Sequence, residues 1–390
     1  MLLYTEILKI LKSKKFFIAL IITIGFNLFY CWFASNYVFN KSVKYSQQYI
    51  SDTEKKIKEL EQKLKKEKDD KIRRMYQEQI DELSRIVQEE KLKLQYGSNP
   101  AKEMEEKAKY YKSMYKNAEK TGNYKELEIY KINYKILSEN IKMKKYYSDG
   151  NQFDGWTYLN SQSYGIAFFI IVILALLIGS GIVSDEYKEG TAKLLKTLPV
   201  KRSNIILNKF IATVLTISAL VIGIQIIFFI VLSIITNSLK YYDVYCNWIS
   251  KYKVIGFKVY PVLDNVRLLN LLECSLLQLL IEIIIILAIS GAIIFFSTIF
   301  ENGAFASISF FAIIIAISIF RQKMLILKTP ILKLLSLIFP WELATVYTNS
   351  LPGEIEWIYA SSYIVIGVNL LLTVIFVLSS IKIFKYKEKV

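Results

Sequence analysis

Apolar residues in this chain gather into long blocks with charged stretches between them, which is not the mixed i, i+3, i+4 spacing of a soluble amphipathic helix. Blocks at 16–36, 161–183, 210–236, 268–300, 303–320 and 357–383 each supply about the 20 residues that a bilayer-crossing helix needs. The fourth and fifth are joined at Glu301-Asn302-Gly303, because one helix of that combined length would be more than twice the ~30 Å hydrocarbon thickness. The pattern therefore predicts an all-α polytopic membrane protein with six spanning helices.

Residues 1–15 place Leu3, Ile7, Ile10 and Leu11 on one side of a helix and Lys9, Lys12, Lys14 and Lys15 elsewhere around it, as in a helix lying on an anionic membrane surface. The competing reading is the basic start of a signal peptide, but no small-residue cleavage site follows the first block.

Residues 37–160 contain no apolar block. Ile50, Ile57, Leu60 and Leu64, then Ile72, Met75, Leu83 and Ile86, recur at helical spacing, with a break near Asp69-Asp70. A turn signal at Gly97-Ser98-Asn99-Pro100 leads to Met104, Ala108, Tyr111, Tyr115 and Ala118. A second turn, at Thr121-Gly122-Asn123, precedes Leu127, Tyr130, Tyr134, Leu137 and Ile141. The simplest structure is an antiparallel coiled-coil stalk, one long helix out and an interrupted return, reaching roughly 75 Å at 1.5 Å per residue for about 50 residues. A charge-rich disordered linker is the alternative.

With the N-terminus inside, the stalk and the Tyr- and Trp-rich loop 237–267 face outward, and the aromatics of that loop read as an interfacial belt. Residues 184–209 and the basic tail 384–390 lie inside. In 321–356, Pro330, Pro340 and Pro352 forbid a clean span and suit short helices dipping into the outer leaflet. This places Arg321, Lys323, Lys328 and Lys333 outside, against the positive-inside rule.

Composition narrows the chemistry. The 390 residues carry a formal net charge of +16, no histidine and only three cysteines, Cys31, Cys246 and Cys274, with no C-x-x-C pair. The commonest general base and the usual metal and redox motifs are therefore missing, and the sequence predicts no catalytic and no metal site. Interleaved acids and bases on an outward stalk argue against nucleic-acid binding. Richness in Lys, Ile, Asn and Tyr fits an AT-rich bacterial genome, and for a multi-pass chain of such a source the expected location is the bacterial plasma membrane.

The inner segment 184–209 has the most specific pattern: Glu186, Gly190, Thr191, Leu194, Leu195, Pro199, Arg202 and Lys209 read Glu-x-x-x-Gly-Thr, a Leu-Leu pair, Pro-x-x-Arg and a Lys opening the next block. Leu194, Leu195 and Leu198 can share one face of a short helix that Pro199 stops. On charge alone it is an ordinary positive-inside loop. The full spacing resembles the first cytoplasmic loop of type-2 (ABC-2) export permeases of the ATP-binding-cassette class. That resemblance implies a membrane-spanning permease subunit that is not itself catalytic. It further implies that Glu186, Gly190, Thr191, Leu194, Leu195, Pro199 and Arg202 form a coupling loop on a separate ABC ATPase that binds ATP and Mg2+, and that a second permease subunit, identical or different, completes the pore. No G-x-x-x-x-G-K-[ST] occurs, so the chain carries no cofactor site of its own and is not its own motor by this route. The outer insertion is similar to those of permeases that export or defend against peptides and drugs. The competing class is a membrane sensor or scaffold whose stalk binds an envelope partner and signals through an ATPase. A secondary transporter would require matched broken helices in an inverted repeat, which the sequence lacks.

Inside the blocks, Glu282 lies near the centre of the fourth with Gln278 and Ser275 on its face and Glu273 further out, while Gln225 lies mid-third. Gln278, Glu282, Glu273 and Gln225 are candidates for a translocation path. Equally open are a hydrogen bond between helices and a protonated Glu282. Asn27, Gln225 and Asn369 are candidates for helix-to-helix bonding.

Overall fold

A computed structural model describes residues 2–39, 43–96, 99–121, 124–147, 153–191, 201–255, 258–263, 266–327 and 330–387. Among them, six helices are long and apolar enough to cross a membrane: Lys14–Asn36, Ile166–Lys188, Arg202–Ile235, Leu271–Ile299, Gly303–Arg321 and Ser362–Tyr386. The chain is an all-α polytopic membrane protein to which short strands are added. It divides into two compact units, one of Met1–Leu28, Asp154–Lys240 and Asn247–Val390, the other of Phe29–Phe153 and Tyr241–Cys246.

In the first unit the fourth span, Leu271–Ile299, is the most enclosed element. Ile281, Ile285, Ile286, Ile289, Ala292, Ile293 and Ile294 are all buried, and the helix packs against the second, third, fifth and sixth spans. It starts at Leu271 and not at 268, because Asn270 caps it: the Asn270 side chain accepts from Glu273 N (2.8 Å) while Glu273 Oε2 accepts from Asn270 N (3.1 Å). The sixth span buries Val365, Asn369, Thr373, Val377, Ser380 and Phe384, a stripe at i, i+3 and i+4 spacing, and leaves its other faces open. The third-span helix begins at Arg202, eight residues before the apolar block, so Arg202 and Lys209 are helical. Its 34 residues extend ~50 Å, well past the hydrocarbon layer.

The loop between the third and fourth spans is not only an aromatic belt. Tyr252–Ile255 pairs antiparallel with Lys258–Pro261, with Tyr252 opposite Pro261 and Ile255 opposite Lys258. Two β-prone runs separated by Gly256-Phe257 are a hairpin signature, which the belt reading passed over.

After the fifth span, whose helix continues to Leu327, come the short helices Pro330–Leu335, Leu343–Tyr347 and Leu351–Glu354. Asn369 of the sixth span clasps the turn between the first two. Its Nδ2 donates to Leu337 O (2.9 Å), and its Oδ1 accepts from the backbone N of Phe339 (3.1 Å), a residue at φ +47. Asn369 thus bonds to the turn that follows the fifth span and not to a neighbouring span. Asn27 does join two elements, accepting from Tyr158 Oη at 2.6 Å.

The second unit differs from the long stalk. Val43–Lys66 and Asp70–Tyr96 fold back on each other, as do Pro100–Thr121 and Tyr124–Lys142, giving two helical hairpins. The heptad break is a complete reversal: Glu67 accepts from the backbone of Lys68 (2.9 Å) and Asp69 (3.1 Å), and Asp69 Oδ1 caps the next helix at Ile72 N (3.4 Å). Ser46 Oγ donates to Glu90 at 2.8 Å, and Lys91 bridges Glu54 at 2.8 Å. The second hairpin buries Tyr111, Ala118 and Tyr130, and the Tyr111 hydroxyl donates to Glu89 of the preceding helix. Helices of 24 and 27 residues reach ~36–40 Å, about half the 75 Å of an unbroken helix.

Candidate functional site

The second-span helix does not stop where its apolar run stops. After a π-helical turn at Ala175–Gly179 it resumes as Gly181–Lys188, so Glu186 lies on its last turn and not in a loop. Gly190 ends it in the left-handed region (φ +73), its N–H donating to Tyr187 O at 3.2 Å, a conformation that glycine adopts at no steric cost. Thr191 Oγ1 reaches back to Glu186 O (3.4 Å). The Glu-x-x-x-Gly-Thr spacing is thus a helix terminus. Leu194, Leu195 and Pro199 lie outside the described residues.

Glu186 is held from two sides. Lys209 of the third span, with only 1% of its side chain exposed, donates to Glu186 Oε1 (2.6 Å), Glu6 Oε2 (3.1 Å) and Ile182 O (3.0 Å). All three ammonium hydrogens therefore have acceptors. Lys9 lies 3.5 Å from Glu6 and 3.4 Å from Glu186, so two carboxylates alternate with two ammonium groups. Partial burial would lower the Lys9 ammonium, but the charges and hydrogen bonds of Glu6 and Glu186 outweigh it and raise it. Beside this cluster Lys15 bridges Asp185 at 2.6 Å. That pair is about half exposed, so it adds at most ~1 kcal/mol.

The same end of the bundle gathers other elements. Lys387 donates to Ile299 O (2.6 Å), the last carbonyl of the fourth span, and lies over the Tyr187 ring (5.0 Å). A Cβ on Gly303, at the start of the fifth span, would lie 3.2 Å from Gly181 Cα. The amphipathic helix Leu2–Leu11, the end of the second span, the start of the third, the turn between the fourth and fifth and the end of the sixth therefore converge.

Mid-bundle, Glu282 is fully buried and accepts from Gln278 Nε2 (2.9 Å) and more weakly from Gln225 Nε2 (3.5 Å), so the third and fourth spans share one polar knot. Glu282 Oε2 and Gln225 Oε1 have no hydrogen-bond partner among the described residues. Glu273 is apart from the knot, committed to the cap of its helix and to Arg267 at 3.0 Å. Ser275 Oγ donates to Leu271 O of its own helix.

Glu6, which the sequence reading passed over, had a signal: it is the lone acid of a basic helix and shares the i, i+4 face of Ile10. A carboxylate on an apolar face demands a cation.

The family model described as ABC-2 family transporter protein matches residues 1–388. The chain belongs to this family. An ABC-2 chain is the transmembrane permease component, not a catalytic one, and its partner is an ABC ATPase. The family is defined over the whole length here, so the four-helix insertion lies within the matched region. Neither a curated protein nor a solved structure matches the chain.

Proposed function

We propose that this ABC-2 permease works as an ATP-driven exporter in a bacterial plasma membrane, with both termini cytoplasmic and the helical insertion outside. The observation that carries this reading is the pinned end of the second span, where a buried ammonium fixes Glu186 just before the basic stretch 192–202. A rigid mount there can receive force from a nucleotide-driven motor and pass it to the third span and the Leu2–Leu11 helix, which share its ion cluster. Glu186, Gly190, Thr191, Leu194, Leu195, Pro199 and Arg202 form the coupling surface. A second permease subunit completes the path, and the cargo is a peptide, antimicrobial or other amphipathic compound. The Gln225–Gln278–Glu282 knot is sealed within one subunit, so its part in transport is to tie the third and fourth spans together as they move.

The test is ATP turnover of the permease purified with its ATPase, comparing parent, Glu186→Ala and Arg202→Ala. Loss of coupled turnover, or dissociation of the complex, is the expected result for both variants. Unchanged turnover in both variants rules out this coupling surface.

A further inference from the structure

The Gly181–Lys188 segment is attached to the fourth span in an unusual way. A π-helical turn carries one extra residue and interrupts the regular i→i−4 ladder, so N–H groups just beyond it are poorly served by their own helix. Two of them, on Val183 and Ser184, donate to one side-chain oxygen, Ser297 Oγ, each at 3.1 Å. A serine hydroxyl has two lone pairs, and both are used. Ser297 Oγ also lies 3.5 Å from Ser184 Oγ, and all these groups are buried. On either side of this junction glycines replace side chains. A Cβ on Gly179 would come within 2.5 Å of Ile293 Cγ2, and one on Gly303 within 3.2 Å of Ser184 Oγ. The segment is therefore bounded by a broken ladder at one end and by ion pairs through Asp185 and Glu186 at the other, with a smooth contact between.

We propose that Gly181–Lys188 is a lever hinged at the Ala175–Gly179 turn, and that Ser297 is the latch that positions it at rest. This rests on the reading that Glu186 lies at the ATPase contact. When the motor pulls the segment, the two N–H groups leave Ser297 and the lever rotates about the π-turn. The small residues at 179, 181 and 303 allow that rotation without a clash, and Ser297 returns the lever when the motor opens.

Ser184→Cys, in protein whose Cys31, Cys246 and Cys274 are replaced by Ala, reports the position of the lever through its rate of reaction with N-ethylmaleimide. In the isolated permease Ser297→Ala should raise this rate at least ~10-fold, because two buried donors lose their acceptor. With the ATPase bound and Ser297 intact, Mg-ATP with vanadate should produce a similar rise. Deleting Leu177 removes the extra residue of the π-turn while leaving its flanks in register, and should abolish the nucleotide response. Equal rates in Ser297→Ala and parent, or an unchanged nucleotide response in the deletion variant, overturn the proposal. Should the deletion variant fail to elute as a single species on size exclusion, the Ser184→Cys/Ser297→Cys pair decides. Oxidation to the disulfide should stop ATP turnover and reduction restore it, and turnover indifferent to the disulfide overturns the latch. If no ATPase co-purifies, the coupling reading fails by itself, while the Ser297→Ala comparison in the isolated permease still decides the latch.

Discussion

Lys209 carries its charge where water scarcely reaches, and it is stable there only because every N–H has an acceptor, two of them carboxylates. Removing one member of such a cluster leaves a buried charge unmatched, at about 3–5 kcal/mol. Lys209→Met should therefore lower the melting temperature in detergent sharply, and Lys209→Met/Glu186→Gln should recover a good part of the loss, since the carboxylate left unmatched goes too. A cycle whose effects simply add would show that the pair is not coupled. Arg321 solves a similar problem. Its guanidinium donates to Ser336 O and Phe339 O, and Lys333 donates to Glu356 O (3.2 Å), so two of the four bases in this segment are structural donors for the turns between the fifth and sixth spans. Glu342, in the same region, is raised above the ordinary carboxylate range by burial and by Glu354, against the pull of Arg321. A raised acid destabilises the fold when ionised, and that penalty disappears as the pH falls through its folded-state value toward the usual 4.5. Glu342→Gln should thus melt about 1–2 °C above parent at pH 8 and match it near pH 4. Thermal scans at the two pH values check the sign.

At the level of elements, the four-helix insertion offers the plainest test. An unbroken helix would hold residues 46 and 90 about 66 Å apart, whereas the folded hairpin brings Ser46 and Glu90 within hydrogen-bond distance. Spin labels at Ser46→Cys and Glu90→Cys should couple at under ~20 Å, and a distance above ~50 Å would restore the long helix. The apolar spacing showed the helices but not their reversal, because a heptad break at Asp69-Asp70 looks the same in a stutter and in a turn. Glu67 and Asp69, two acids able to accept backbone N–H bonds at the break, were the clue in favour of a turn. The spans were legible because twenty apolar residues have few alternatives. Their polar ends were not, since nothing in hydropathy tells whether a helix continues past its greasy core, as the second does to Lys188 and the third does from Arg202. The candidate site was legible as a string of residues around Glu186. Glu6 and Ser297, its supports, come from remote positions that no local spacing links to it.

On the scale of the whole molecule, both terminal segments and the Glu186 helix converge at one end of the bundle, and the proposed topology, with that end cytoplasmic, can be tested from outside the cell. A membrane-impermeant maleimide should label Ser113→Cys in intact cells and Lys385→Cys only after lysis, in protein lacking its native cysteines. Equal labelling of both in intact cells would contradict the cytoplasmic placement of the tail. The resemblance read from the Glu186 segment and the family match over residues 1–388 agree on an ABC-2 permease.

The ion cluster also has a history in time. Glu6 and Lys209 are 203 residues apart, so at about 5–20 residues per second a ribosome makes Glu6 some 10–40 s before Lys209 exists. During that interval the only cation that the Leu2–Leu11 helix offers Glu6 within the cluster is its own Lys9, 3.5 Å away and largely exposed. A chain whose third span is not in place lacks the buried ammonium that joins Glu6 to Glu186, so the cluster closes only when residues from the two ends of this 203-residue separation meet.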